Sequence, residues 1–497
     1  MTRSRGRSEV PTMTEPVAGD LSNPVRDHGD AGDALHRAGR AVAEALGLSA
    51  EDLVALRRAP EMPTWTSNLR VAELAYDSAA LASLGVALIG VQRGVIERGD
   101  LTVSPEAPRV QASFGSEKLF RLDGEPPAVW GALSGFWRVR DGWVRTHANY
   151  PHHAERLARL LGISPQAGRP TVEAAMSEWT RFDLEDLAAA AGALVFGVRD
   201  PDEWRQHPQA QLIADAPIVR FASSGDAAPR PWRDGGAAPL AGIRVLDLTR
   251  VIAGPVATRD LAVAGADVLR IDSPRLPEAP WQHLDTGHEK RSALIDLDDP
   301  SDRMRFEELM STADVVVHGY RPAALARYGL DPQSLQERFP GIVVAQLSAW
   351  GTDGPWGDRR GFDSLVQAAS GIAVLESGDG ATPGALPAQA LDHATGHFLA
   401  AAISTAIRAQ RTVGGSFDIA MSLARTAHEL LAAGPADNHG AHNGQASLPT
   451  TSVPVRPGAG VSAATVTCAP PILDFPGAPM EYPSPLHPWG SDEPVWR

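Results

Sequence analysis

Short apolar runs alternate with amphipathic segments between residues 240 and 435. The runs are rich in Val, Ile and Leu, and segments with helical periodicity separate them. This pattern is typical of buried parallel strands joined by helices. The predicted strands are Ile243–Leu248, Ala266–Ile271, Ala293–Leu297, Ala313–His318 and Gly341–Leu347. The pattern predicts an α/β domain with a Rossmann-like, doubly wound and mostly parallel sheet, in which ligands bind at the carboxyl ends of the strands.

A different pattern precedes this domain. Aromatic, Val and Arg residues alternate on both sides of Asp141-Gly142, which predicts a hairpin over Gly135–Asn149. Helical patterns and an apolar strand follow, so residues 135–222 are expected to form a smaller α+β domain. Residues 223–239 are rich in Pro, Gly and Ala and predict a linker.

The outer segments give weaker patterns. Residues 1–32 are rich in Arg, Asp, Pro and Gly and are expected to be a disordered tail. Asn68–Gly90 predicts a short strand followed by an alanine-rich helix, and Val110–Phe114 carries an isolated strand signal. Residues 436–497 predict an extended tail with a clear strand at Ala464–Cys468.

One weak internal repeat links the two halves of the chain. Leu69–Ile89 parallels Ile243–Ile271, because each contains a predicted strand, an acidic residue near its end (Glu73 and Asp247) and a helix of small residues. The first copy lacks the Ala-Gly-Pro turn. The similarity indicates a degenerate half-domain or arises by chance.

Charge and cysteine content limit which binding partners and which cellular compartment are expected. Sixty acidic and 45 basic residues give a net charge of −15, which argues against a nucleic acid or an anionic membrane as partner. A single cysteine, Cys468, fits a reducing cytoplasm. No apolar run reaches about 18 residues, so no membrane-spanning helix is expected. No apolar segment follows the N-terminal arginines, so a secretory signal is not expected.

Several common chemistries lack their signatures. The sequence has no GxGxxG after the first predicted strand and no GxxxxGK[ST], which disfavours NAD and P-loop nucleotides. It also lacks a GxSxG elbow, which lowers a hydrolase interpretation. His147, His152 and His153 do not have metal-ligand spacing and are interpreted as surface or hairpin-edge residues.

The strongest candidate for chemistry is Asp392, at the start of a long apolar helix rich in small residues. An aspartate at a helix N-terminus can be an N-cap that accepts backbone N–H groups. It can also be a nucleophile, held where backbone donors stabilise developing negative charge. From this stretch alone both interpretations stay open.

A set of motifs then resembles the family III CoA-transferases, the CaiB/BaiF group, which also contains acyl-CoA racemases. The motifs follow the order of the family between Pro239 and Leu423. They are PLAGIRVLDLTRVIAGPVATRDLAVAGADVLRID (239–272), EKRSALIDLDDP (289–300), ADVVVHGYRPAALARYGLD (313–331), FPGIVVAQLSAWGTDGPW (339–356), RRGFDSLVQAASG (359–371), ALDHATG (390–396) and RTVGGSFDIAMSL (411–423). The small domain comes after the CoA-binding part in the usual family order, but it precedes that part here. The resemblance therefore implies a rearranged or partly duplicated member, with residues 33–134 as a helical segment and degenerate partial copy of the CoA-binding domain, and residues 240–435 as the full large domain.

The resemblance assigns a role to Asp392. In this family an aspartate in a D-x-x-x-G turn is the nucleophile, and Asp392 with Gly396 matches that turn. The implied activity is an acyl-CoA:carboxylate CoA-transferase that works through an aspartyl mixed anhydride and an aspartyl-CoA thioester. CoA or acyl-CoA enters as substrate, together with a carboxylic acid, and no metal, NAD or flavin is implied. The positions that match the family's CoA site are Val251, Ile252, Ala253, Lys290, Gly319, Tyr320, Ala324, Arg327 and Arg360.

The resemblance also separates the branches of the family in part. Racemases carry a histidine in the segment that corresponds to RRGFDS, where this chain has Phe362. An aromatic ring without a titratable group cannot move a proton, so racemase or epimerase activity is the alternative. A non-catalytic CoA-binding paralogue is a further alternative, because the domain order is rearranged and Gly319 replaces a family asparagine. The family forms interlinked homodimers, so a homodimer is expected.

Overall fold

A computed structural model describes residues 34–58, 61–437, 447–457 and 463–497 of the chain. The predicted disordered tail, residues 1–32, lies outside the described residues. The strands are β1 (Arg121–Leu122), β2 (Gly135–Val139), β3 (Gly142–Thr146), β4 (Val195–Gly197), β5 (Arg220–Ser224), β6 (Arg244–Leu248), β7 (Asp267–Asp272), β8 (Arg291–Leu294), β9 (Val315–His318), β10 (Val343–Ser348), β11 (Ser416–Ser422), β12 (Thr451–Val455) and β13 (Ala464–Cys468).

Helices connect and cover these strands. They are α1 (Arg37–Ala45), α2 (Ala50–Leu53), α3 (Val71–Gln92), α4 (Ala107–Phe114), α5 (Ser116–Leu119), α6 (Pro151–Leu161), α7 (Arg169–Met176), α8 (Arg181–Ala191), α9 (Pro201–Gln206), α10 (Pro208–Asp215), α11 (Ala253–Val263), α12 (Pro280–Thr286), α13 (Pro300–Thr312), α14 (Pro322–Ala326), α15 (Pro332–Arg338), α16 (Asp363–Ala369), α17 (Ile372–Leu375), α18 (Ala390–Val413) and α19 (Leu423–Ala432).

The large sheet has seven strands in the order β5-β11-β10-β9-β6-β7-β8. Every neighbouring pair is parallel except β5 and β11, which run antiparallel. The strands predicted from the apolar runs correspond to β6 through β10. The predicted α/β class with a mostly parallel sheet is therefore confirmed.

Three long helices form the core beside this sheet. Helix α18 packs against both α3 and α11, and small residues allow the backbones to approach. A Cβ at Gly85 on α3 would lie 3.2 Å from the backbone of Ala401 on α18. By length and composition α3 could cross a membrane, but 94% of its apolar window is buried inside the protein, as is typical of a core helix.

Two local predictions in the first 120 residues are wrong. The strand expected at the start of Asn68–Gly90 does not form, because Arg70 already precedes the first turn of α3. The strand signal at Val110–Phe114 belongs to α4. Val110 and Phe114 are fully buried and four residues apart, so they share one face of a helix as readily as they would fit a strand.

The small sheet contains β2, β3 and β4 in antiparallel order. The predicted hairpin forms at Gly142, and helices α6, α7 and α8 pack against the sheet around a core of its own. Strand β5, which crosses the predicted boundary at residue 222, pairs with the large sheet. The domain boundaries themselves stay a prediction.

The strand predicted at Ala464–Cys468 is confirmed as β13, but its pairing in a sheet was not predicted from the sequence. Strand β12 pairs with β13, which pairs with β1, so the tail forms a third sheet with the N-terminal part of the chain. The last residues run along the free edge of β8. There the backbone N–H of Asp492 donates to the carbonyl of Ser292 at 2.8 Å, and the N–H of Ser292 donates to the Asp492 carboxylate at 2.8 Å.

Candidate active site

A cavity of about 630 Å³ lies at the carboxyl ends of the parallel strands, where the sheet topology predicts ligand binding. We call it the sheet-edge cavity. Its walls are the segments that follow β6, β7, β8, β9 and β10, together with the start of α6. The lining residues that matter below are Tyr150, Arg156, Arg250, Val251, Ala253, Arg275, Gly319, Tyr320, Arg321, Ala324, Arg327, Arg359, Arg360, Phe362 and Asp392.

The sheet-edge cavity collects most of the residues predicted to bind CoA. Val251, Ala253, Gly319, Tyr320, Ala324, Arg327 and Arg360 all line it, and so does Asp392. These residues are separated by up to 141 positions in the chain, taking 392 minus 251. The fold therefore brings together positions that only the family resemblance connected.

A second cavity, of about 580 Å³, adjoins the first. We call it the hairpin cavity, because Phe136 of β2 and Arg145 of β3 line it. Ile252, the remaining residue of the predicted Val251–Ala253 turn, lines this cavity. The two cavities share Val251, Phe362 and Asp392. Asp392 thus lies where they meet.

Lys290 does not line either cavity, which corrects its predicted contact with the nucleotide. Its ammonium group is buried and donates to the carboxylate of Asp247 at 3.1 Å, to the carbonyl of Pro255 at 2.7 Å and to the hydroxyl of Thr258 at 2.6 Å. These three contacts engage all of the N–H donors of the Lys290 ammonium group. Burial lowers the pKa of Lys290 to about 8, and the Asp247 carboxylate opposes that effect.

Asp392 is the third residue of α18 rather than its N-cap. The N-cap residue is Gln389, and no side chain caps the helix. No group in the described part of the chain donates a hydrogen bond to the Asp392 carboxylate, although the residue is only 7% exposed. The capping interpretation is therefore wrong, and the carboxylate is left available to a ligand.

Acidic neighbours make the Asp392 carboxyl difficult to ionise. Burial raises its pKa well above the ordinary value, and the nearby carboxylates of Asp363 and Glu117 raise it further. Burial also raises the pKa of Glu117 to about 7 and that of Asp363 to about 6. A carboxylate with a raised pKa is more basic, and it is a better nucleophile once it is ionised.

Backbone geometry holds this site tightly. Val251 has φ of 72°, a left-handed conformation that is strained for a β-branched residue. A Cβ at Gly396 would lie 2.4 Å from the carbonyl oxygen of Ala253. Only glycine lets α18 approach the start of α11 this closely, one turn after Asp392.

Arginines surround the mouth of the sheet-edge cavity, but they differ in how free they are. Arg327 is 64% exposed in its side chain and lies 3.5 Å from Asp298. The side chain of Arg360 makes no ion pair or hydrogen bond with any described residue, and burial lowers its pKa. Arg250 is paired with the buried carboxylate of Glu278 at 3.3 Å, which also accepts a hydrogen bond from the hydroxyl of Tyr150 at 2.5 Å.

The sequence interpretation of the histidines is wrong for two of them. His147 and His153 are buried, with 5% and 4% exposure. The ring of His147 stacks on that of Phe362, with centroids 3.7 Å apart and planes 4° apart. His147 lines the hairpin cavity, whereas His152 and His153 line the sheet-edge cavity. The sequence carried no signal for this, because β3 meets the segment around Phe362 only in the folded chain.

The residues that sequence reasoning missed are mostly charged groups outside the family motifs. Glu117 and Arg145 line the hairpin cavity from the N-terminal part of the chain, and Asp363 holds the first turn of α18. No group of three or more His, Cys, Asp or Glu side chains that could hold a metal ion is found within residues 34–58, 61–437, 447–457 and 463–497.

Comparison with known proteins gives the same family as the motifs. Residues 240–459 match the model of CoA-transferase family III. The probable fatty acyl-CoA transferase Rv3272 of Mycobacterium tuberculosis is 35% identical over 184 residues, which cover 34% of this chain and 47% of that protein. A succinate–glutarate CoA-transferase of Agrobacterium fabrum is 32% identical over 212 residues, which cover 39% of this chain and 53% of that protein.

Each match covers only part of this chain and only part of the related protein. The chain spans about half the length of the curated relatives named above. A crystal structure of Rv3272 is 31% identical to the matched part, covers 39% of this chain and 58% of the solved chain, and has a TM-score of 0.38.

Proposed function

We propose, from the membership of residues 240–459 in CoA-transferase family III, that the protein is an acyl-CoA:carboxylate CoA-transferase with Asp392 as its nucleophile. One observation carries the proposal: the Asp392 carboxylate is buried, unbonded and located where two cavities meet. CoA occupies the sheet-edge cavity, with its phosphates near the arginines. The acyl group extends into the hairpin cavity, so that its thioester carbonyl lies at Asp392.

The reaction proceeds by four substitutions at carbonyl carbon. The Asp392 carboxylate attacks the thioester, the C–S bond breaks, and an acyl-aspartyl anhydride and CoA thiolate form. The thiolate attacks the aspartyl carbonyl, which releases the donor acid as a carboxylate and leaves an aspartyl-CoA thioester. The acceptor carboxylate attacks this thioester and expels the thiolate. The thiolate then attacks the acyl carbonyl of the new anhydride, which yields the new acyl-CoA and restores Asp392.

Two features of the site support these steps. The carboxylate is buried and its pKa is raised, so it is a stronger nucleophile than a solvated carboxylate. Ala253 and Gly254 begin α11, and the first backbone N–H groups of a helix have no acceptor within it. We assign the backbone N–H groups of Ala253 and Gly254 as the donors to the oxyanions. The backbone N–H of Asp392, in the first turn of α18, already donates to Asp363.

The test is the mass of the intact protein after incubation with a panel of monocarboxylic and dicarboxylic acyl-CoAs. We expect the wild type to gain the mass of one CoA, less water, and Asp392→Asn to gain none. Asp186→Asn, on the exposed face of α8, is the matched control and should label like the wild type. A wild-type protein that binds CoA but is labelled by none of these donors would contradict the proposal and favour a binding protein without catalysis.

One observation favours a second candidate, an acyl-CoA racemase. His147 lines the same cavity as Asp392 and stacks on Phe362, at the segment where racemases of this family carry a histidine. Burial lowers the pKa of His147 to about 3, so the ring is neutral but only a weak base, which makes racemisation the second candidate. Exchange of the α-proton of a 2-methylacyl-CoA with deuterium, lost in His147→Gln, would support this function.

The homodimer and the cytoplasmic location expected from the sequence are also proposals. Light scattering of the purified chain measures the first, and fractionation of the source cells measures the second.

A further inference from the structure

Arg145 is an unpaired cation in the wall of the hairpin cavity. It lies on β3, opposite Phe136 of β2. Its guanidinium carbon is 4.8 Å from the ring centre of Phe136 and 4.7 Å from that of Trp130. Aromatic rings stabilise the face of a guanidinium group and leave its in-plane N–H donors for acceptors.

Those donors have no acceptor in the described part of the chain. The side chain of Arg145 makes no ion pair and no hydrogen bond there, and its Nε is buried without a partner. Burial lowers the pKa of Arg145 to about 10, and the Asp363 carboxylate opposes that effect only in part. Arg145 is half-buried, and a partly desolvated cation without hydrogen bonds is costly, so its guanidinium group is available to an anionic ligand.

The protein's own carboxylates do not fill this role. Asp363 accepts from the backbone N–H of Asp392 at 3.0 Å and from the side-chain amide of Gln367. Glu117 lines the same cavity, but its Oε2 is buried without a partner and it forms no ion pair or hydrogen bond with Arg145. The other cation of this cavity, Lys118, donates to the carbonyl of Pro387.

We propose that Arg145 binds the distal carboxylate of a dicarboxylic acyl group, so that the preferred substrates are dicarboxylic acids and their mono-CoA thioesters. The inference rests on the proposed function, because it takes the hairpin cavity as the acyl site. A guanidinium group matches a carboxylate with two parallel N–H···O bonds. The thioester end then lies at Asp392, on the wall that the two cavities share, and the free carboxylate is the anionic ligand at Arg145.

The test compares thioesters of equal chain length: succinyl-CoA with butanoyl-CoA, and glutaryl-CoA with pentanoyl-CoA. Calorimetric affinities are measured in an Asp392→Asn background, where no thioester is consumed, and kcat/KM for transfer is measured with Asp392 intact. We expect at least one dicarboxylic thioester to be preferred by about 10-fold or more, as a charged hydrogen-bonded pair provides. Arg145→Gln should remove that preference and change the monocarboxylic thioesters by less than about twofold.

Two further variants keep the result interpretable. Arg145→Lys retains the charge without the planar fork and should restore part of the preference. Arg138→Gln is the matched control, because Arg138 is exposed on the same hairpin, contacts Trp143 and lines neither cavity; it should leave both affinities unchanged.

Three results would overturn the inference. One is a wild type that does not distinguish the members of either pair. Another is an equal loss for both members in Arg145→Gln, which would indicate a structural role. The third is a preference removed by Lys118→Gln and kept in Arg145→Gln. The calorimetric measurement needs no turnover. A binding preference for the dicarboxylic thioesters without a CoA adduct would therefore contradict the transferase proposal but support the role proposed for Arg145.

Discussion

The backbone N–H of Asp392 donates a 3.0 Å hydrogen bond to Oδ2 of Asp363. This bond links the first turn of α18 to the first residue of α16. The same contact places a second carboxyl group beside the proposed nucleophile, and that neighbour raises the pKa of Asp392. The residue that positions the proposed nucleophile therefore adds to the effect of burial on its ionisation.

Transfer activity should fall with decreasing pH well above the ordinary range of an aspartate. The attack requires the ionised carboxylate, and burial together with Asp363 and Glu117 raises the pKa of Asp392. Glu117→Gln removes one negative neighbour, stabilises the ionised form and should move the acid limb of kcat/KM to lower pH. Glu125→Gln, at an exposed turn, should not move it. An acid limb near pH 4 in the wild type would contradict the assignment.

Lys290→Met should destabilise the protein more than it weakens CoA binding. Removing the ammonium leaves the buried Asp247 carboxylate without its partner, which typically costs about 3–5 kcal/mol. Urea denaturation measures the loss, and the double variant Lys290→Met/Asp247→Asn should recover part of it. A large loss of CoA affinity at unchanged stability would instead restore the predicted contact with the nucleotide.

Gly396→Ala should lower both stability and activity. The added methyl group would meet the carbonyl oxygen of Ala253 at 2.4 Å, so α18 must shift by a fraction of an ångström. Overpacking of this kind typically lowers the free energy of unfolding by about 1–3 kcal/mol. The shift of α18 would also move Asp392 relative to Val251, with which it lines both cavities. Gly378→Ala is the control, because a Cβ there meets nothing within 4 Å. Equal melting temperatures for both variants would refute this account of Gly396.

CoA affinity should depend on salt, and the two predicted arginines should contribute unequally. Arg360 has no partner among the described residues, whereas Arg327 already lies 3.5 Å from Asp298 and is largely exposed. We expect Arg360→Gln to weaken CoA binding by about 10-fold. The loss of binding free energy in Arg327→Gln should be less than half of the loss in Arg360→Gln. Arg140 forms an exposed ion pair with Glu178 and lines neither cavity, so Arg140→Gln should have no effect. Titration at two salt concentrations measures all three.

The sequence predicted the large sheet well because its strands are apolar on both faces. The runs that became β6 to β10 have no competing helical interpretation at their length, and their spacing left room for one helix each. The N-terminal helices were harder. Leu69 and Val71 resemble a strand locally, but the segment from Leu74 to Gly90 is buried on every side, and packing against α18 decides its structure.

The proposed CoA side of the candidate site was accessible from sequence, but the proposed acyl side was not. The former consists of family motifs at strand ends, so residue types and order were sufficient. The hairpin cavity combines Glu117, Arg145 and His147 with the start of α18, and no pattern in the chain connects these positions. Lys290 shows the converse: its motif was recognised, but a buried carboxylate 43 residues away engages its ammonium group.

The contacts of Asp492 with Ser292 have a consequence for association between copies of the chain. A strand edge with free N–H and C=O groups can recruit a strand from another molecule. At β8 the segment around Asp492 already uses these groups, while β5 at the opposite side of the sheet is mostly exposed. A sheet with one open edge can join a second copy only once. We therefore expect edge-to-edge growth of this sheet to stop at a pair of copies.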